Sequence, residues 1–203
     1  MTEMEWLAAT NQIPMMTFLD GKGSDRKLRL FFCWLARQLP ELMANDISRH
    51  GVEAAEQYAD GLLCDRERET ERLVLQDRVK LLVEEECFDM AAIVREAKLR
   101  LSQRPKWFFH YPGWGQAPHS PHVIRDIFGN PFRPIIIKPS WLTPDVLGLA
   151  EGIYDEKAFA RLPILADALE DAGCDNEDIL SHCRDGGPHV RGCWVVDLVL
   201  GKS

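Results

Sequence analysis

The chain has 203 residues, 46% of them apolar, and a formal charge of −8; that suffices for one large domain or two small ones around an ordinary buried core. The acidic balance argues against a general phosphate-backbone binder, which needs a basic excess to displace counterions. No apolar run approaches the roughly 18 residues of a membrane span, and Met1-Thr2-Glu3-Met4-Glu5 places acids where a secretory leader carries bases, so a cytoplasmic protein with no membrane partner is expected.

Six cysteines scattered through helix-like patterns fit reduced thiols better than a disulfide scaffold. Cys33, Cys64 and Cys87 are read as small hydrophobes. Ser24 and Asp25 can cap an apolar helix over 26–36, with Pro40 as its stop. Val52, Ala55, Tyr58, Ala59 and Leu62 follow a helical stripe within 47–64, weakened at Gly61. One or two helices are expected over 66–101, with Leu73, Leu75, Val79, Leu82 and Val83 on one side and charges on the other.

Between 103 and 144 prolines recur too often for long helices. Ile135-Ile136-Ile137 can form one short strand after the turn signal Gly129-Asn130-Pro131. Thr143 and Pro144 then read as the cap and first residue of a new helix. A further helix over 156–171 contains Pro163, which moves its start toward Leu162, and Gly173 can end it in a left-handed turn. Asp175 or Asn176 caps a short helix reaching Arg184, and Pro188 can open a last one through Leu200, although Trp194-Val195-Val196 also suits a strand. The expected fold is mainly α: helical halves at 1–102 and 144–203 joined by an irregular proline- and aromatic-rich segment at 103–143 with at most a minor strand pair, or all three parts in a single domain.

Three stretches carry a resemblance. They are Met1-Thr2-Glu3 and Trp6-Leu7 with 24–31; 125–134; and nearly all of 153–202, including Arg161-Leu162-Pro163-Ile164-Leu165-Ala166-Asp167-Ala168-Leu169 and Gly187-Pro188-His189-Val190-Arg191-Gly192-Cys193-Trp194. Together they resemble a large family of paralogous proteins of planctomycete bacteria, and the resemblance implies no activity. Family members carry further cysteines just after the position of Cys33, where this chain has Trp34-Leu35-Ala36, so an N-terminal metal site is not expected from it.

Cys174, His182, Cys183, His189 and Cys193 concentrate soft donors near the C-terminus. Zinc takes four nitrogen or sulfur ligands in a tetrahedron. His189 and Cys193, spaced i,i+4, share one face of the expected last helix, and Cys174 with Cys183 or His182 would complete the set Cys174, Cys183, His189 and Cys193. The Cys174 to Cys183 spacing is not that of a zinc knuckle, and adjacent His182 and Cys183 point apart on a helix. Packing of the three cysteines as small apolar side chains is therefore the favoured alternative. A thiol enzyme would use Cys183 or Cys193 as nucleophile, His189 as base and Asp197 as its orienter, but the local sequence signals no activating environment.

A second candidate lies in the central segment. Arg104, Lys106, Trp107, Phe108, Tyr111 and Trp114 mix cations with stacking rings, and 95–138 holds eight basic residues and two acids. Such a mixture binds an extended peptide or a single nucleic-acid strand, or folds its rings back over the core. The leading expectation is a non-enzymatic cytoplasmic interaction or regulatory module that binds a protein partner through these six residues, with no obligatory cofactor. The alternative is an enzyme or nucleic-acid-processing accessory with zinc or a thiol at the C-terminal cluster, and the third is single-stranded nucleic-acid binding through the central segment, which the net charge disfavours.

Overall fold

The computed structural model describes residues 1–38, 40–43, 46–64, 66–67, 70 and 120–202. The protein is mainly helical, and no strand forms among the described residues. The chain divides into two compact units, Met1–Phe18 with His119–Ser203, and Leu19–Pro118.

In the second of these, α3 (Asp25–Arg37), α4 (Pro40–Met43) and α5 (Asp46–Ala59) follow one another. The Ser24 hydroxyl accepts the Lys27 N–H and so satisfies one of the free amides that open α3. Pro40 both follows the end of α3 and begins α4, where its missing N–H costs no helical bond. Leu30, Phe31, Cys33 and Leu35 of α3 and Val52, Ala55 and Ala59 of α5 are buried. Cys33 behaves as the small hydrophobe expected, its Sγ 3.8 Å from the Val52 carbonyl. Cys64 does not: it lies beyond α5, past Gly61 at φ +71°, and is exposed, as is Leu62. Cys87 and the helices expected over 66–101 fall mostly outside the described residues.

The other unit begins with α1 (Glu3–Ala8), capped reciprocally by Thr2 and Glu5, and α2 (Gln12–Leu19). It resumes at α6 (Ser120–Phe128), a helix inside the stretch whose prolines suggest irregular chain. Pro121 sits in the first turn of α6, where no intrahelical N–H is needed, so the helix tolerates it. Val123, Ile124 and Ile127 are fully buried, as is Trp6, whose indole N–H donates to the Gly129 carbonyl at 3.2 Å. Arg125 donates to the carbonyls of Trp6 and Ala9, closing the end of α1.

An apolar core is built by α7 (Pro144–Asp155), α8 (Leu162–Asp171), α9 (Glu177–Arg184) and α10 (Trp194–Val199). Ile153, Leu162, Leu165, Leu169, Ile179 and Val196 are fully buried there, each contributing about 1.5–3 kcal/mol by leaving water. The expected caps hold. The Thr143 hydroxyl accepts the Val146 N–H, Asn176 Oδ1 accepts the Ile179 N–H, and Gly173 ends α8 at φ +85°. Pro163 occupies the first turn of α8 after a short 3-10 turn at Phe159–Arg161.

Two further local expectations fail. Ile135 and Ile137 pack against the core while Ile136 is 88% exposed, so this stretch alternates as a strand does but pairs with none among the described residues. The last helix opens at Trp194, not Pro188: Gly192 stands at φ +95°, which a right-handed helix excludes, and the Val190 amide is committed to Asp126. Among the described residues, no helix is long and apolar enough to cross a membrane.

Candidate metal centre

Asp126 lies on α6 beside Ile124 and Ile127, and its helical register turns the carboxylate inward with them; its side chain is fully buried. A carboxylate in that position requires polar partners, and it has three. The Val190 N–H donates to Oδ2 at 2.9 Å, His189 Nδ1 stands 2.6 Å from Oδ1, and His182 Nε2 stands 3.1 Å from the same oxygen. His182 Nε2 is also 3.3 Å from Cys193 Sγ. One donor atom from each of Asp126, His182, His189 and Cys193 thus lies within 4.8 Å of all the others.

Each element aims its residue for a local reason. His182 projects from the last turn of α9, with the Trp194 ring against it at 5.1 Å. His189 belongs to the irregular 185–193 connection, and its Nε2 pairs with the Asp185 carbonyl at 3.2 Å. Gly187 lets this connection pass His122, whose ring a Cβ there would meet at 2.1 Å. Cys193 directly precedes α10 and is fully buried.

The electrostatics centre on Asp126. Burial favours its protonated form, but hydrogen bonds and charge from His182 and His189 outweigh that and hold its pKa below the usual carboxylate value. Burial presses His189 toward neutrality, and the Asp126 carboxylate overcomes it, so the imidazole pKa stands above its ordinary value. His122, further out and 3.6 Å from Asp185, is lowered, chiefly by burial. The Cys193 thiol is raised well above its ordinary range, first by burial and then by the Asp126 charge.

This donor set fits a transition metal. Bonds of about 2.0–2.3 Å at tetrahedral angles put donor atoms about 3.3–3.6 Å apart, and the His182 to Cys193 and His182 to Asp126 separations are already close to that. The His189 to Asp126 contact would need to open by about 0.7 Å, and the widest donor pair, at up to 4.8 Å, would need to close by about 1 Å. His189 also has the outer hydrogen bond typical of a metal ligand: with Nε2–H given to Asp185, its Nδ1 holds either the second proton of an imidazolium or a lone pair directed at a metal.

Of the four ligands expected from sequence, His189 and Cys193 enter this group, through a connecting loop and not through one helical face. Cys174, Cys183 and Cys193 all pack into the α7–α10 core, and of these three only Cys193 also reaches the donor group. Burial first, and the Asp126 charge after it, pushes the Cys183 thiol up to about 12. The places of Cys174 and Cys183 are taken by His182, which the sequence offers as an alternative, and by Asp126, which it does not single out. The carboxylate that meets His189 is likewise Asp126 and not Asp197, and a fully buried, protonated Cys193 is a poor nucleophile. Arg104, Lys106, Trp107, Phe108, Tyr111 and Trp114 lie outside the described residues.

No family model matches the chain. No solved structure matches it either. A thiazole synthase of Chlorobium phaeobacteroides is 28% identical over 98 residues, which cover 43% of this chain and 38% of that protein. The chain therefore spans well under half the length of this curated protein.

Proposed function

We propose that this protein is a non-enzymatic helical module locked by zinc at Asp126, His182, His189 and Cys193. The observation that carries the reading is the convergence of His182 of α9 with His189 and Cys193 of the 189–193 connection around the buried Asp126 carboxylate of α6. Two imidazoles, a thiol and a carboxylate suit zinc better than calcium or magnesium, which favour all-oxygen shells. Four protein donors close a tetrahedron, whereas catalytic zinc usually keeps a position open for water. A structural role is thus favoured over a catalytic one.

A binding role has its own support. Met4 is 80% exposed and Leu7 53%, and a cleft of about 760 Å3 is lined by Ala8, Ile13, Pro14 and Phe18 together with polar N-terminal residues. Exposed apolar side chains and a cleft lined in part by apolar ones suit a protein partner.

The test is metal content of untagged protein together with its melting curve before and after chelator. Stoichiometric zinc and a melt lowered by chelation are expected. Metal-free protein whose melt is unchanged by added zinc would contradict the reading.

A further inference from the structure

We infer that metal at this site is a latch that docks the N-terminal helices, carried on α6, against the α7–α10 core; the inference rests on the zinc reading above. Within the one compact unit that contains the site, α6 with the N-terminal helices can be taken as one layer and the α7–α10 core as the other, the two meeting where α6 packs against α10. The buried cluster formed by α7–α10 draws its residues from 141–199, and it does not include Val123, Ile124 and Ile127 of α6.

The N-terminal layer is tied to α6 and the turn after it at several points. Arg125 holds the Trp6 and Ala9 carbonyls, the Trp6 indole binds the Gly129 carbonyl, and Glu3 accepts from Asn130 at 2.7 Å and pairs with Arg133 at 2.6 Å. Phe18 of α2 stacks on Phe132 at 5.0 Å.

Across the seam between the layers, Asp126 makes several polar contacts. Asp126 comes from α6, while His182, His189, Val190 and Cys193 come from the other side. Gly129 at φ +65° lies against Trp194, where a Cβ would come within 3.2 Å of the ring, and His122 faces Asp185. Hydrogen bonds alone can close the seam, but a metal joining a carboxylate on one layer to three donors on the other ties the docked arrangement to metal occupancy. Metal loss then loosens α6 and, through Arg125, Gly129 and Asn130, the helices that carry Met4, Leu7 and Ile13.

Linkage requires reciprocity: if metal favours docking, docking favours metal by the same factor. The test is hydrogen exchange of the full chain with zinc and with chelator, metal content being measured on the same samples. Zinc is expected to slow exchange of amides in 1–18 and 120–128 by on the order of tenfold while α8 changes less. Arg125→Gln, which alters no ligand, is expected to free 1–9 and weaken zinc binding on the order of tenfold, with partial rescue in Arg125→Lys. Zinc uptake with identical exchange of 1–18 in both states overturns the latch and leaves the zinc reading standing, as does Arg125→Gln with exposed 1–9 and unchanged affinity. Absence of metal uptake overturns both.

Discussion

Each unit of this protein buries at least one acid, and Glu56 and Asp126 are satisfied differently. Glu56 receives the Arg37 guanidinium at both oxygens, at 2.9 and 3.0 Å. Asp126 receives two imidazoles and a backbone amide, with a thiol beside one of the imidazoles. Guanidinium is permanently protonated and has no lone pair to give, so the Arg37–Glu56 pair is a finished structural contact. Imidazole and thiol can each exchange a proton for a metal. Burial of an acid therefore does not mark a metal site; the convertible character of its partners does.

The two kinds of pair should separate most widely with pH. Zinc must displace ligand protons, including that of the Cys193 thiol held high by burial, so apparent affinity should fall at least tenfold for each unit of acidification below neutrality, read by competition with a chromophoric chelator. Without metal the His189 contribution should run the other way. Its folded pKa is raised, so that stability is fully present below the unfolded value of about 6.5 and is lost as pH rises through the folded value. The depressed Asp126 contributes above its unfolded value of about 3.9 and loses that contribution as pH falls through its folded value. Urea melts of chelated protein across this range check both signs.

Next in size, Asp126→Ala should cost about 3–5 kcal/mol in urea unfolding of the metal-free protein, because it strips the buried His189 of its partner. Arg37→Leu should cost about 1.5–3 kcal/mol, the range for hydrogen bonds to charged groups, with zinc content unchanged. If Arg37→Leu lowered zinc content, the contrast between the two acids would fail. Smallest, Thr143→Ala should remove about 1 kcal/mol through the lost cap on α7, again with no effect on metal.

Much of the fold is legible because its signals are local. Ser24, Thr143 with Pro144, Asn176 and Gly173 each act on amides or dihedrals a few residues away, and the structure has them in those roles. The site is legible only in part because its defining residue is remote. Asp126 precedes His182 by most of the C-terminal core and sits among prolines that suggest irregular chain. A signal was nonetheless present: an acid within Val123, Ile124 and Ile127, on the core face of a short apolar helix. For His189 and Cys193 the i,i+4 spacing names two residues that fall in one donor group, but for a different physical reason, since Gly192 prevents the helix on which that spacing would matter.

The most direct measurement is cobalt substitution. Cobalt(II) added to the metal-free chain should give tetrahedral absorption with a thiolate-to-metal charge-transfer band, which zinc bleaches and which Cys193→Ser abolishes while Cys174→Ser and Cys183→Ser retain it. A spectrum indistinguishable from aqueous cobalt, or a thiolate band that survives in Cys193→Ser, would contradict metal binding at Asp126, His182, His189 and Cys193.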